Sequence, residues 1–91
     1  MKVAYYYHLA LMGPWPTVLA DGLAHLRGKK IQLGMVGDLS PDARRTVFEI
    51  AASCAVDLTL VAQSPDLTMY EIPTLEAAQR SDADVVFYCH S

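Results

Sequence analysis

Val3-Ala4-Tyr5-Tyr6-Tyr7 runs directly into His8, and Val85-Val86-Phe87-Tyr88-Cys89 runs directly into His90. Neither run alternates polar with apolar residues, the pattern of strands covered on both faces in a parallel sheet. In open parallel sheets, ligands bind beyond the carboxyl ends of strands, where the strand order reverses. If these two strands are neighbours, His8 and His90 stand together at that crevice.

Between them the chain reads β-α-β-α-β-loop-α-β. After residues 9–13, Pro14-Trp15-Pro16 opens a helix, because a proline in the first turn loses no hydrogen bond. Leu19, Leu23 and Leu26 follow at helical spacing, and Gly28 supplies a stop. The second strand covers residues 31–36 and closes on Gly37-Asp38. Ser40-Pro41-Asp42 then starts a helix, with Ser40 as cap, Pro41 in the first turn and Asp42 complementing the helix dipole. Val47, Ile50, Ala51 and Cys54 form its apolar face, and Arg45 and Glu49 are spaced to pair on the outside. Residues 56–62 alternate, which predicts one solvated face and an edge position. Residues 63–72 read as a loop, extended from 69 to 72 before Pro73. A short helix then runs from Pro73 to Ser81-Asp82.

This alternation predicts right-handed crossovers and a parallel sheet. The expected fold is a single α/β domain over residues 1–91. It is a small three-layer, Rossmann-like half-domain with a four-stranded parallel sheet in order 3-2-1-4 and three helices. The first two helices share one face and the third lies alone on the other.

The 91 residues are 53% hydrophobic and 19% charged. That is rich in apolar residues for a chain with so little interior to fill, so a homo-oligomer is expected. Either the thinly covered sheet face or the open edge of the last strand would be buried by another copy. The net charge of −3 and a pI near 5.4 argue against a nucleic-acid partner. Lys29-Lys30 and Arg44-Arg45 read as solvated helix ends. Cys54 and Cys89, with no C-x-x-C pair, read as small buried residues in a reducing cytoplasm. No apolar run reaches the roughly 20 residues of a membrane span. His8 and Pro14-Trp15-Pro16 interrupt what would otherwise pass for a signal peptide.

Tyr6-Tyr7-His8 followed by Met12-Gly13-Pro14-Trp15 resembles the opening of a group of bacterial and viral glycosyltransferase-like proteins. Their first strand ends Tyr-Tyr-His before a Gly-x-Trp turn and a helix. In the same order, Leu33-Gly34-Met35-Val36-Gly37 resembles their second strand, Tyr70-Glu71-Ile72-Pro73-Thr74-Leu75 their Tyr-Glu-x-Pro-Thr-Leu segment, and residues 84–90 their strand ending Tyr-x-His. The resemblance implies the amino-terminal half of a glycosyltransferase A-type fold, which cradles the nucleotide of a sugar donor. Family members continue from that histidine into Thr-Lys-Gly and an acceptor-binding half. Here Ser91 follows, so the chain is expected to be incomplete and to lack transferase activity alone. Asp82-Ala83-Asp84 has the letters of a metal motif but precedes its strand, at the wrong sheet edge. No cofactor is evident, and a divalent metal is expected only alongside a bound nucleotide sugar.

The candidate ligand-binding residues are His8, Gly13, Gly37, Asp38, Glu71 and His90, and no catalytic residue is assigned. Imidazoles at 8 and 90 could meet a donor phosphate or satisfy loop backbone. Gly13 permits close approach of a ligand, with Trp15 as a stacking ring, or it is a turn glycine beside a staple onto the first helix. Asp38 follows the second strand, where an acidic group meets a ribose hydroxyl in nucleotide-binding sheets, or it caps a turn. Glu71 could bind a sugar hydroxyl or act as a base, or else pair with an arginine or cap a helix. A non-enzymatic, dimerising α/β interaction module is the alternative function.

Overall fold

The computed structural model describes residues 1–90. In chain order its elements are β1 (Val3–Leu11), α1 (Trp15–Ala24), β2 (Lys30–Gly37), α2 (Pro41–Ser53), β3 (Asp57–Ser64), a 3-10 turn (Leu67–Met69), α3 (Ile72–Gln79) and β4 (Val85–His90). The strands form one sheet in the order β3-β2-β1-β4, and every pairing is parallel. The expected α/β architecture and strand order are therefore present.

Side chains of a strand point alternately to opposite faces, and the core follows that period. Tyr7, Leu9 and Leu11 of β1 and Ile31, Leu33 and Met35 of β2 are buried with Leu19 and Leu23 of α1 and Val47 and Ala51 of α2. The intervening residues Tyr6, His8, Gly34 and Val36 are also buried, on the face that α3 covers. Two helices thus lie on one face and one on the other, because the third crossover runs in the opposite direction. Ser40 caps α2 as its sequence indicates, accepting from the Ala43 amide at 3.2 Å. At the amino-terminal sheet edge, Lys2 binds Asp82 through Nζ at 2.5 Å and Asp84 through its backbone amide at 2.7 Å. The Asp-Ala-Asp sequence is occupied there, far from the carboxyl ends of the strands.

Several local expectations are corrected. β1 continues past His8 to Leu11, so His8 lies inside a strand rather than at its end. Residues 69–72 are not extended. The Asp66 carboxylate accepts from the Thr68 amide at 2.9 Å and nucleates the 3-10 turn. Glu71 has φ −85° and ψ −5°, and α3 begins at Ile72, which puts Pro73 inside the first turn, where proline is tolerated. Arg45 pairs with Asp42 at 3.2 Å instead of Glu49. Both side chains are exposed, so the pair contributes little. Cys54 and Cys89 are half-buried free thiols.

The two sheet edges differ. In β3 the register passes from Leu33–Leu60 to Gly34–Ala62, leaving Val61 as the extra residue of a bulge. Bulges and charges such as Asp57 discourage further pairing at an edge. β4 carries no charge from Val85 to Cys89. Despite its apolar sequence it is only half-covered, with Val86 38% and Phe87 49% exposed.

Candidate functional site

The six candidate residues fall into two groups. Gly34, His8 and His90 occupy one row across β2, β1 and β4, because His8 pairs with Gly34 on one side and with His90 on the other. That brings the two histidines side by side, as their strand contexts suggested. His8 is buried beneath α3, whereas His90 is exposed at the end of its strand. Glu71, immediately before α3, accepts a hydrogen bond from the Tyr88 hydroxyl at 3.2 Å.

Thr74 completes this group. It is fully buried, and a Cβ at Gly34 would collide with its Oγ1. Glycine at 34 therefore lets α3 approach the sheet closely. Neither His8 Nδ1 nor Thr74 Oγ1 has a hydrogen-bond partner, though both are buried. The sequence carried a signal for this contact: a glycine inside a buried strand marks close approach of another chain segment.

Burial holds the His8 pKa below its usual value. The Glu71 charge partly opposes that shift and His90 adds to it. The Tyr88 phenol is pushed well above its usual range, by burial first and then by the Glu71 carboxylate it bonds. The His8 shift has a defined consequence for stability. A histidine held neutral in the folded state takes up more protons when unfolded, so stability rises with pH. The His8 contribution is complete above the unfolded pKa of about 6.5. It is lost as pH falls through that value toward the folded one. Urea unfolding at pH 8 and pH 5 should show a larger loss of stability on acidification for the natural protein than for His8→Leu. Equal losses would show that His8 does not stay neutral on folding.

Gly13, Gly37 and Asp38 form the second group, at the carboxyl edge of the sheet. Leu11 pairs with Gly37, so both β1 and β2 end there. Gly13 has φ +57° and Gly37 φ +114°, conformations that side chains rarely adopt. A Cβ at Gly13 would meet nothing within 4 Å, whereas one at Gly37 would press on Leu67 and Leu11 at 3.1–3.2 Å. Asp38 Oδ1 accepts from the Ser40 amide at 3.0 Å, and Oδ2 from its hydroxyl at 3.3 Å. Asp38 thus has the turn role, leading into the α2 cap. Its exposed carboxylate has no second acidic partner, and the described residues hold no cluster of three His, Cys, Asp or Glu able to bind a metal. These residues do not fit a divalent ion.

Two concavities flank the end of β1. One, of about 150 Å³, is lined by Ala10, Met12, Trp15 and Val18. The other, of about 130 Å³, is lined by Ala10, Met12, Leu67, Thr68 and Tyr70. Each is well below the roughly 300–1,000 Å³ of a small-molecule pocket. Tyr70 is a non-glycine residue at φ +50° and is 70% exposed. Its strained backbone holds the ring at the rim of the second concavity. Of these lining residues, the sequence had offered only Trp15 as a contact.

No protein-family model, no curated protein and no solved structure matches this chain. Among the described residues, no helix is long and apolar enough to cross a membrane.

Proposed function

We propose that this chain is a glycosyltransferase-like, cytoplasmic domain that binds the nucleotide of a sugar donor and has no transferase activity by itself. The observation carrying this reading is the convergence of Gly13, Gly37 and Asp38 at the carboxyl edge of a parallel sheet, next to the point where strand order reverses. Gly13, exposed and with nothing within 4 Å of where a Cβ would stand, leaves its backbone open to close approach by phosphate. Asp38 can turn its outer lone pairs to a ribose hydroxyl while keeping its bonds to Ser40. The short matches from Tyr6 through His90 to glycosyltransferase-like proteins agree with this placement. The small concavities limit the chain to part of a donor site.

The test is titration of isotope-labelled protein with uridine diphosphate. Amide shifts at Gly13, Gly37 and Asp38 support the proposal. Absence of shifts at millimolar nucleotide overturns it.

A second reading, a homodimerising interaction module without chemistry, is favoured by the β4 edge. That strand has no charge, proline or bulge, and it exposes Val86 and Phe87 on opposite faces. Antiparallel pairing of β4 with β4 about a twofold axis would join two sheets into one. Light scattering on the same sample separates the readings: a dimeric mass with no nucleotide response supports the module alone.

A further inference from the structure

α3 is held to the sheet by little. Among the described residues it is the one α-helix on its face, and Thr74 is its single buried residue. Ile72 and Leu75 are 46% and 40% exposed. Eight residues are too few to stay helical in water without packing. The Thr74 hydroxyl makes no hydrogen bond, so none is lost there when the helix lifts. The bond from Tyr88 to Glu71 ties down its amino-terminal end. On the other face, α1 and α2 bury Leu19, Leu23, Val47 and Ala51 in the main core. Lifting α3 therefore exposes less apolar surface than lifting either of them, and elements with few buried apolar contacts open first.

The group that α3 covers is titratable. His8 is 5% exposed and lies in register with Gly34, the residue against which Thr74 packs. Its Nδ1 has no partner. A protonated imidazole in that place would carry a buried charge and a further N–H to satisfy. The groups around it do not supply the compensation. β2 and β3 present Gly34 and Ala62 in this row, and neither titrates. From β4, His90 stands beside His8 in register, and the Tyr88 hydroxyl is committed to Glu71. Glu76 and Arg80 of α3 are exposed and pair with each other at 3.9 Å. Glu71 attracts a proton to His8, but burial outweighs it and His90 opposes it as well. The proton is bound more tightly once α3 has lifted and His8 meets water.

We propose that α3 is a pH-operated latch: a proton taken up by His8 favours a form in which Ile72–Gln79 leaves the Gly34–His8 row while the rest of the sheet and α1 and α2 stay folded, and loss of that proton seats the helix again. The direction follows from linkage. His8 binds its proton more weakly when α3 is seated, so the seated form is fully favoured above the ordinary histidine pKa of about 6.5 and loses ground as pH falls below it. One pH unit below that value, the open form gains up to about tenfold relative to neutral pH. This goes beyond the loss of global stability on acidification, because it assigns the proton to one helix. It is also independent of the nucleotide reading, whose residues Gly13, Gly37 and Asp38 lie outside this cluster.

Amide hydrogen exchange of the natural protein at pH 7.5 and pH 5.5 tests the latch, with each rate divided by its intrinsic rate at that pH. The reporters are the bonded amides of α3, from Leu75, which donates to Glu71, to Arg80, which donates to Glu76. The amides of α2 serve as the reference for global unfolding. The α3 amides should be less protected than those of α2 at both pH values. Their protection should fall up to about tenfold at pH 5.5, and should change little on adding about 1 M urea, since a local opening exposes little surface. His8→Gln should remove the pH dependence of the α3 amides. The His8 ring resonances of the natural protein give a readout that needs no variant, and should shift over the pH range in which α3 protection falls. Three results would each overturn the proposal: α3 protection that is flat with pH, α3 and α2 amides with equal protection and equal urea slopes, or a pH dependence that survives in His8→Gln.

Discussion

Gly34→Ala should destabilise the protein by roughly 1–3 kcal/mol, the usual cost of forcing extra volume into a packed interior. The added Cβ would fall on the Thr74 side chain, with Thr74 Cβ at 2.8 Å and Cα at 3.2 Å. Neither is the free end of a flexible side chain, so α3 itself must move away from the sheet. Elsewhere in a strand, glycine to alanine would be favourable, because glycine loses more backbone entropy on folding. Here that gain is smaller than the collision. Thr74→Ala alone should be close to neutral, since the buried Thr74 hydroxyl makes no hydrogen bond and its removal ends an uncompensated burial. The double variant should recover part of the Gly34→Ala loss and not all of it, because the 2.8 Å approach to the residue-74 Cβ persists. Urea midpoints of the four proteins complete the cycle. Additive effects would show that α3 does not rest on Gly34.

What could be read from the sequence depended on how local the cause was. The strand order followed from three local signals: two apolar runs, one alternating run, and helices between all of them. The alternating residues 57–60 lie at an edge, and His8 and His90 are paired. The helix start at Ser40 was legible because its cap and proline act within one turn. The segment from Asp66 to Thr74 was not. Its 3-10 turn depends on one carboxylate bonding Thr68, and Tyr70 adopts a conformation its own residue type disfavours. The candidate site divided for a related reason. Hydrophobicity does not show where β1 stops, because residues 9–11 are as apolar as those before His8. Three further residues of strand moved His8 from the rim to the interior and left Gly13, Gly37 and Asp38 at the edge without it.

Leu33→Ala should carry the largest cost of any single truncation, about 2–5 kcal/mol. Leu33 is fully buried in β2, between Tyr7 and Leu60 in register, on the face covered by α1 and α2. Its neighbours come from the flanking strands β1 and β3 and from the helices on that face, so little can collapse into the space left behind. Against the roughly 5–15 kcal/mol that holds a typical domain together, this loss should lower the thermal midpoint by many degrees. Val86→Ala is the matched comparison. Val86 is 38% exposed on β4, so in an isolated monomer its truncation should cost under about 0.5–1 kcal/mol. A second copy covering β4 changes that expectation in a specific way. The Val86→Ala cost then grows, and the midpoint of the natural protein rises with protein concentration by mass action. The Leu33→Ala loss, being internal to one chain, stays fixed. Thermal unfolding of the three proteins over a range of concentrations separates the two cases. Concentration-independent midpoints together with a small Val86→Ala effect would leave the β4 edge without a partner.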